Sequence, residues 1–98
     1  MDELKKGDEF IPSEPDFKFF VTTLALQAAI ALGQIANPAT NQKEENPAQA
    51  KFIIDTLNML KEKTKGNLTK GEAAAIDDVL YELRMQYVSK DKKIDTRP

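Results

Sequence analysis

Two groups of carboxylates are the side chains here whose type and spacing could perform chemistry. Asp77, Asp78 and Glu82 lie close together in one helical stretch, and Asp55 and Glu62 share another. A pair of this kind is what acid–base chemistry or a magnesium ion would require. Either task also needs burial or a neighbouring charge to tune the carboxylate. All five fall on polar helix faces, where solvation alone accounts for them, so no catalytic residue is assigned and the chain reads as a non-enzymatic protein. The 98 residues contain no histidine and no cysteine. That removes the commonest general base and metal ligand, the thiolate zinc site, the cysteine nucleophile and the disulfide. Neither a metal nor a cofactor is expected.

A cationic turn is the other chemical candidate. Lys61, Lys63, Lys65 and Lys70 surround Glu62, and the free amides that open the following helix could hold a phosphate or carboxylate. The candidate anion-binding turn is Lys63, Lys65, Gly66, Asn67 and Thr69. Its residues also have a structural explanation. Gly66 can adopt the left-handed conformation that closes a helix. Thr69 and Glu72 have the spacing of a capping box, with Leu68 placed to staple onto Ala73, and lysines complement the end of a helix dipole. Asn67 is the residue that capping explains least, although asparagine is itself a turn former. The net charge of -2 supplies no bulk attraction to phosphate backbones or anionic lipid, so neither nucleic acid nor membrane is expected as a partner.

The elements that must position these groups are helices. Residues 1–15 read as a mobile acidic arm: Asp2, Glu3, Asp8, Glu9 and Glu14 outweigh Lys5 and Lys6, and Pro12 and Pro15 interrupt any period. A helical domain follows over 16–89, and 90–98 reads as a frayed polar tail. Asp16 caps the first helix, which runs to about Leu32 before Gly33 and presents Phe17, Phe20, Val21, Leu24, Ala28, Ala31, Leu32 and Ile35. Asn46 and Pro47 open the second, with Ala50, Ile53, Ile54, Leu57 and Leu60 on one face. The third begins after Thr69 and lines up Ala73, Ile76, Val79, Leu80, Leu83 and Tyr87. So short a turn makes helices two and three an antiparallel hairpin. The longer polar connection from Gln34 to Glu45 leaves helix one free to cross that hairpin or to reach another subunit. No strand is predicted, and the fold class is an all-α three-helix domain assembled into a homo-oligomeric bundle.

The oligomer is inferred from apolar residues left over once one core is assigned. Phe19, Leu26 and Ile30 form a second strip on helix one, Phe52 and Met59 flank the main face of helix two, and Tyr81, Met85 and Val88 lie on the outer side of helix three. Burying each would contribute roughly 1.5–3 kcal/mol. Any single one could simply fill a core, but strips on all three helices exceed what a monomer usually exposes. These eight residues are the candidate oligomer interface. Ala25, Ala29 and Gly33, at every fourth position, would let another helix approach closely, and Glu82 and Arg84 are read as edging the subunit boundary. A dimer is favoured, with an unidentified protein partner as the alternative occupant.

No charge appears between Lys18 and Lys43, yet this stretch does not read as membrane-spanning. Thr23, Gln27 and Gln34 keep one side of it polar, where a span needs roughly 20 predominantly apolar residues. Nor is a signal peptide expected, since the amino terminus is acidic and the first apolar run begins late. The run Ile54-Asp55-Thr56-Leu57-Asn58-Met59-Leu60-Lys61-Glu62-Lys63-Thr64-Lys65-Gly66-Asn67-Leu68-Thr69, then Glu72 and Leu80 to Val88, resembles a family of short bacterial proteins known as domain of unknown function 1844. Phe20 to Gly33 and Asn46 to Lys51 are similar to its first helix and to the entry of its second. The resemblance implies a bacterial, cytoplasmic, all-helical protein and carries over no catalytic residue.

Overall fold

The computed structural model describes residues 13–95, with side chains through Ser89. Most of the acidic arm expected at 1–15 therefore lies outside the described residues, as do the side chains of the tail expected at 90–98. Three helices make up the fold: α1 (Phe17–Ala31), α2 (Pro47–Lys63) and α3 (Lys70–Asp95). The backbone of α3 runs past Lys90, where its apolar periodicity ends.

Each boundary is held by the local chemistry of its own residues. The Asp16 carboxylate accepts the Phe19 amide at 2.8 Å, and Asn46 Oδ1 accepts the Gln49 amide at 3.2 Å with Pro47 at the first helical position. Both satisfy amides that a helix start leaves without partners. α1 stops at Gly33, where φ is +79° and the amide of Gln34 returns to the Ala29 carbonyl at 2.9 Å. A Cβ at this position would meet Glu45 Cγ at 2.8 Å, so any other residue would have to displace the Glu45 side chain as well as adopt a conformation that favours glycine.

The connection from α1 to α2 folds back instead of reaching outward. Leu32 forms an isolated antiparallel bridge with Glu45, and Asn37 another with Gln42. The Asn46 amide donates to the Ala31 carbonyl at 2.7 Å, tying the end of α1 to the start of α2. At the far tip Asn41 takes a φ of +60°, a conformation that asparagine tolerates better than most residues. These two helices are consequently antiparallel neighbours within one chain.

The third helix completes an up-down-up bundle. Lys61 Nζ lies 2.8 Å from Asp77 Oδ1 and Arg84 Nη2 donates to Asn58 Oδ1 at 2.7 Å; the numbering descends along α2 as it rises along α3, as an antiparallel hairpin requires. A methyl group on Gly71 would sit 3.3 Å from Lys18 Nζ, which places the starts of α1 and α3 together and makes them parallel. Between the helices Val21, Ala28, Ala31, Leu32, Ala50, Ile53, Ile54, Leu57, Ile76, Leu80 and Leu83 are buried. Phe17, Leu24, Leu60, Leu68, Val79 and Tyr87 pack around them. Two members of the expected first-helix stripe are outside this core, with Phe20 47% and Ile35 41% exposed. Ile35 follows the chain reversal at Gly33, beyond which helical spacing no longer sets direction. No strand longer than the isolated bridges occurs among the described residues.

Candidate functional site

The lysine-rich turn is built by reciprocal capping. Glu72 accepts the Thr69 amide at 2.9 Å, and Thr69 Oγ1 accepts the Glu72 amide at 3.1 Å. Gly66 has a φ of +85° with open space where a side chain would go, and the Asn67 amide donates to the Thr64 carbonyl at 2.8 Å. That bond is a backbone one and does not itself call for an asparagine side chain. Lys63, Lys65, Gly66, Asn67 and Thr69 are all exposed, while Lys61 is drawn to Asp77. The Glu72 carboxylate occupies the helix start that an anion would have to share, so the same box that orders the turn works against anion binding. Replacing Thr69 by alanine is expected to cost about 1 kcal/mol, read as a lower urea midpoint with unchanged slope. Thr69→Ser should retain most of that stability. A Thr69→Ala midpoint equal to that of the parent would contradict the capping assignment.

The carboxylates are distributed as the polar faces predicted. Asp55, Asp77, Asp78 and Glu82 are exposed, Asp77 is paired with Lys61, and Glu82 Oε2 accepts from Gln86 Nε2 at 3.3 Å. Asp55 Oδ2 lies 2.8 Å from Lys51 Nζ one helical turn away. This hydrogen bond, with the attraction of the same carboxylate, raises the pKa of Lys51. Such a pair is a solvated surface contact. Among the described residues no group of three or more histidine, cysteine, aspartate or glutamate side chains could hold a metal ion.

The expected interface residues form several surfaces. Phe52 is the most exposed, at 71%, with Tyr81 at 66% and Met85 at 55%. Leu26, Val88, Met59 and Phe19 are also exposed, whereas Ile30 is half-buried. Tyr81, Met85 and Val88 come together with Leu80, Lys61, Asp77 and Arg84 around a depression of about 280 Å³ along α3, bordered by Lys61 of α2. Leu26 belongs to a second groove of about 290 Å³ between α1 and α3, lined also by Thr22, Ala25, Ala29, Val79, Glu82, Leu83 and Gln86. Ala25 and Ala29 therefore bring α3 of the same chain close, while Gly33 serves to end α1. Within that groove Gln86 Oε1 is shielded from solvent and has no hydrogen-bond partner.

The convergence of Lys61 and Asp77 with Tyr81 was not read from the sequence, although one signal was present. Asp77, Tyr81, Arg84 and Val88 recur at spacings of four, three and four, which keeps them on one helical edge. Among the described residues, no helix is long and apolar enough to cross a membrane. The model of the family described as "Domain of unknown function (DUF1844)" matches residues 14–89, well over half of the chain. Comparison with curated proteins and with solved structures returned no match.

Proposed function

The chain belongs to the DUF1844 family, and from that premise we propose that it is a non-enzymatic protein that works by associating with another protein chain, a second copy of itself in the first instance. The observation that carries this reading is the exposure of Phe52, Tyr81, Met85, Leu26, Val88 and Met59 on a bundle whose core is already filled. Each large apolar side chain withdrawn from water would contribute roughly 1.5–3 kcal/mol if fully covered. Exposed strips on every helix are a feature of protein contact surfaces more than of isolated monomers. The polar candidates favour a different role, since the capping box accounts for the turn and solvation accounts for the carboxylates.

Association that stabilises the folded state makes unfolding depend on protein concentration. The melting temperature is expected to climb steadily as the protein is concentrated at fixed pH and salt. A melting temperature independent of concentration would overturn self-association. Stabilisation by added phosphate in dilute protein, abolished by replacing Lys63 and Lys65, would favour the turn as the functional site instead.

A further inference from the structure

The edge of α3 that borders the α2 depression carries charges of both signs on either side of an exposed aromatic ring. Asp77 lies one turn before Tyr81 and Arg84 one turn after it, with Met85 and Val88 continuing the apolar strip. Neither charge is fully used within the chain. Asp77 receives Lys61 on Oδ1, leaving Oδ2 to accept, and Arg84 gives one of its donors to Asn58 while a guanidinium has five.

From this arrangement we infer that two copies pair through α3 in antiparallel fashion about a two-fold axis near Tyr81, with Asp77 of each copy facing Arg84 of the other. This rests on the self-association proposed above and specifies its surface and geometry. A two-fold contact uses the same patch on both copies, so that patch must complement itself. The midpoint of Asp77 and Arg84 falls between Leu80 and Tyr81, and antiparallel pairing about that point brings carboxylate to guanidinium twice. Parallel pairing would set Asp77 against Asp77 and Arg84 against Arg84. Tyr81 and Met85 also line a depression of about 280 Å³, which gives a second copy's apolar side chains a recess to enter. The groove between α1 and α3 lacks this property: Glu82 is its one charged lining residue, and two copies meeting there would have no cation to oppose it.

The absence of cysteine from the sequence makes a single-cysteine test unambiguous. Packed helix axes lie about 8–10 Å apart and Cα atoms about 2.3 Å from each axis, so Cα atoms facing each other at a two-fold axis come to roughly 3.5–5.5 Å, which overlaps the range of about 4.4–6.8 Å that a disulfide spans. Tyr81→Cys should therefore cross-link to a covalent dimer under mild oxidation. Val88→Cys, on the same strip, should not, because antiparallel pairing separates the two copies of residue 88 by roughly 20 Å along the helices at 1.5 Å per residue. Both positions are exposed, so neither change disturbs the core. Wild-type sedimentation is measured alongside. Rapid linking at 81 and none at 88 supports the inference. Equal linking at both positions, or none at 81 while the wild type and the Tyr81→Cys variant both sediment as dimers, overturns the pairing and leaves self-association standing, whereas a monomeric Tyr81→Cys variant beside a dimeric wild type supports a contact at Tyr81. A wild type that sediments as a monomer overturns both.

Discussion

Leu57→Ala should remove about 3–5 kcal/mol of stability, the upper part of the range for truncating a buried leucine. Leu57 is 0% exposed at the centre of α2, between residues of α1 and α3 that rigid helices hold in place. Its loss combines the transfer energy of the missing methyl and methylene groups with the cavity left behind. Domains of this size are stable by about 5–15 kcal/mol in total, and a three-helix core is small, so at about 4–8 °C per kcal/mol the variant should melt roughly 12–40 °C lower. Phe52→Ala provides the contrast. Phenylalanine is the larger side chain, but Phe52 is 71% exposed, and under dilute conditions its removal should change stability by less than about 0.5 kcal/mol. Urea denaturation of the two variants checks both statements. Equal losses would contradict the division between core and surface.

The second large effect concerns association and should leave the fold intact. Tyr81→Asp combined with Met85→Asp adds two carboxylates to the exposed strip of α3, where solvent accommodates them in a single copy. The helix propensity cost is about 0.7 kcal/mol or less per residue. In a two-fold contact the same change places four carboxylates in an apolar seam, and burying unpaired charge costs several kcal/mol. At 1.4 kcal/mol for each factor of ten, a loss of about 3 kcal/mol weakens the dimer more than roughly a hundredfold. The double variant is expected to be helical, to melt at a temperature independent of concentration, and to sediment as a monomer. A variant that still associates like the parent would place the contact elsewhere, for instance at the α1–α3 groove or the outer face of α2.

Much of this architecture was legible because its signals are local. Asp16, Asn46 with Pro47, and Thr69 with Glu72 each mark a helix start through a bond spanning three residues, and all of those bonds form. Gly33 and Gly66 mark the ends through backbone conformations that other residues resist. The central apolar positions Val21, Ala28, Ile53, Leu57, Ile76 and Leu80 were legible too, since a period of 3.6 fixes which side of a helix they occupy.

What was not legible depends on how far one helix covers another. Phe20 sits at the margin of the α1 stripe and stays exposed, while Ile30, assigned to the outer strip, is half-buried. Periodicity gives the side of a helix that a residue occupies, but the width of the covered stripe is set by where the neighbouring helices lie. The register of α2 against α3 was likewise hidden. It is register that brings Lys61 to Asp77 and Asn58 to Arg84, and so creates the bordered depression beside Tyr81. The fold-back of residues 32–46 was not legible because three of its four bridging residues, Asn37, Gln42 and Glu45, are of types that carry little strand preference.

Sedimentation equilibrium of the full chain over a wide concentration range tests the central claim most directly. The predicted result is a reversible rise in average mass towards twice the 11.0 kDa of one chain, lost in the Tyr81→Asp, Met85→Asp variant. A mass that stays at the single-chain value at every concentration would contradict it.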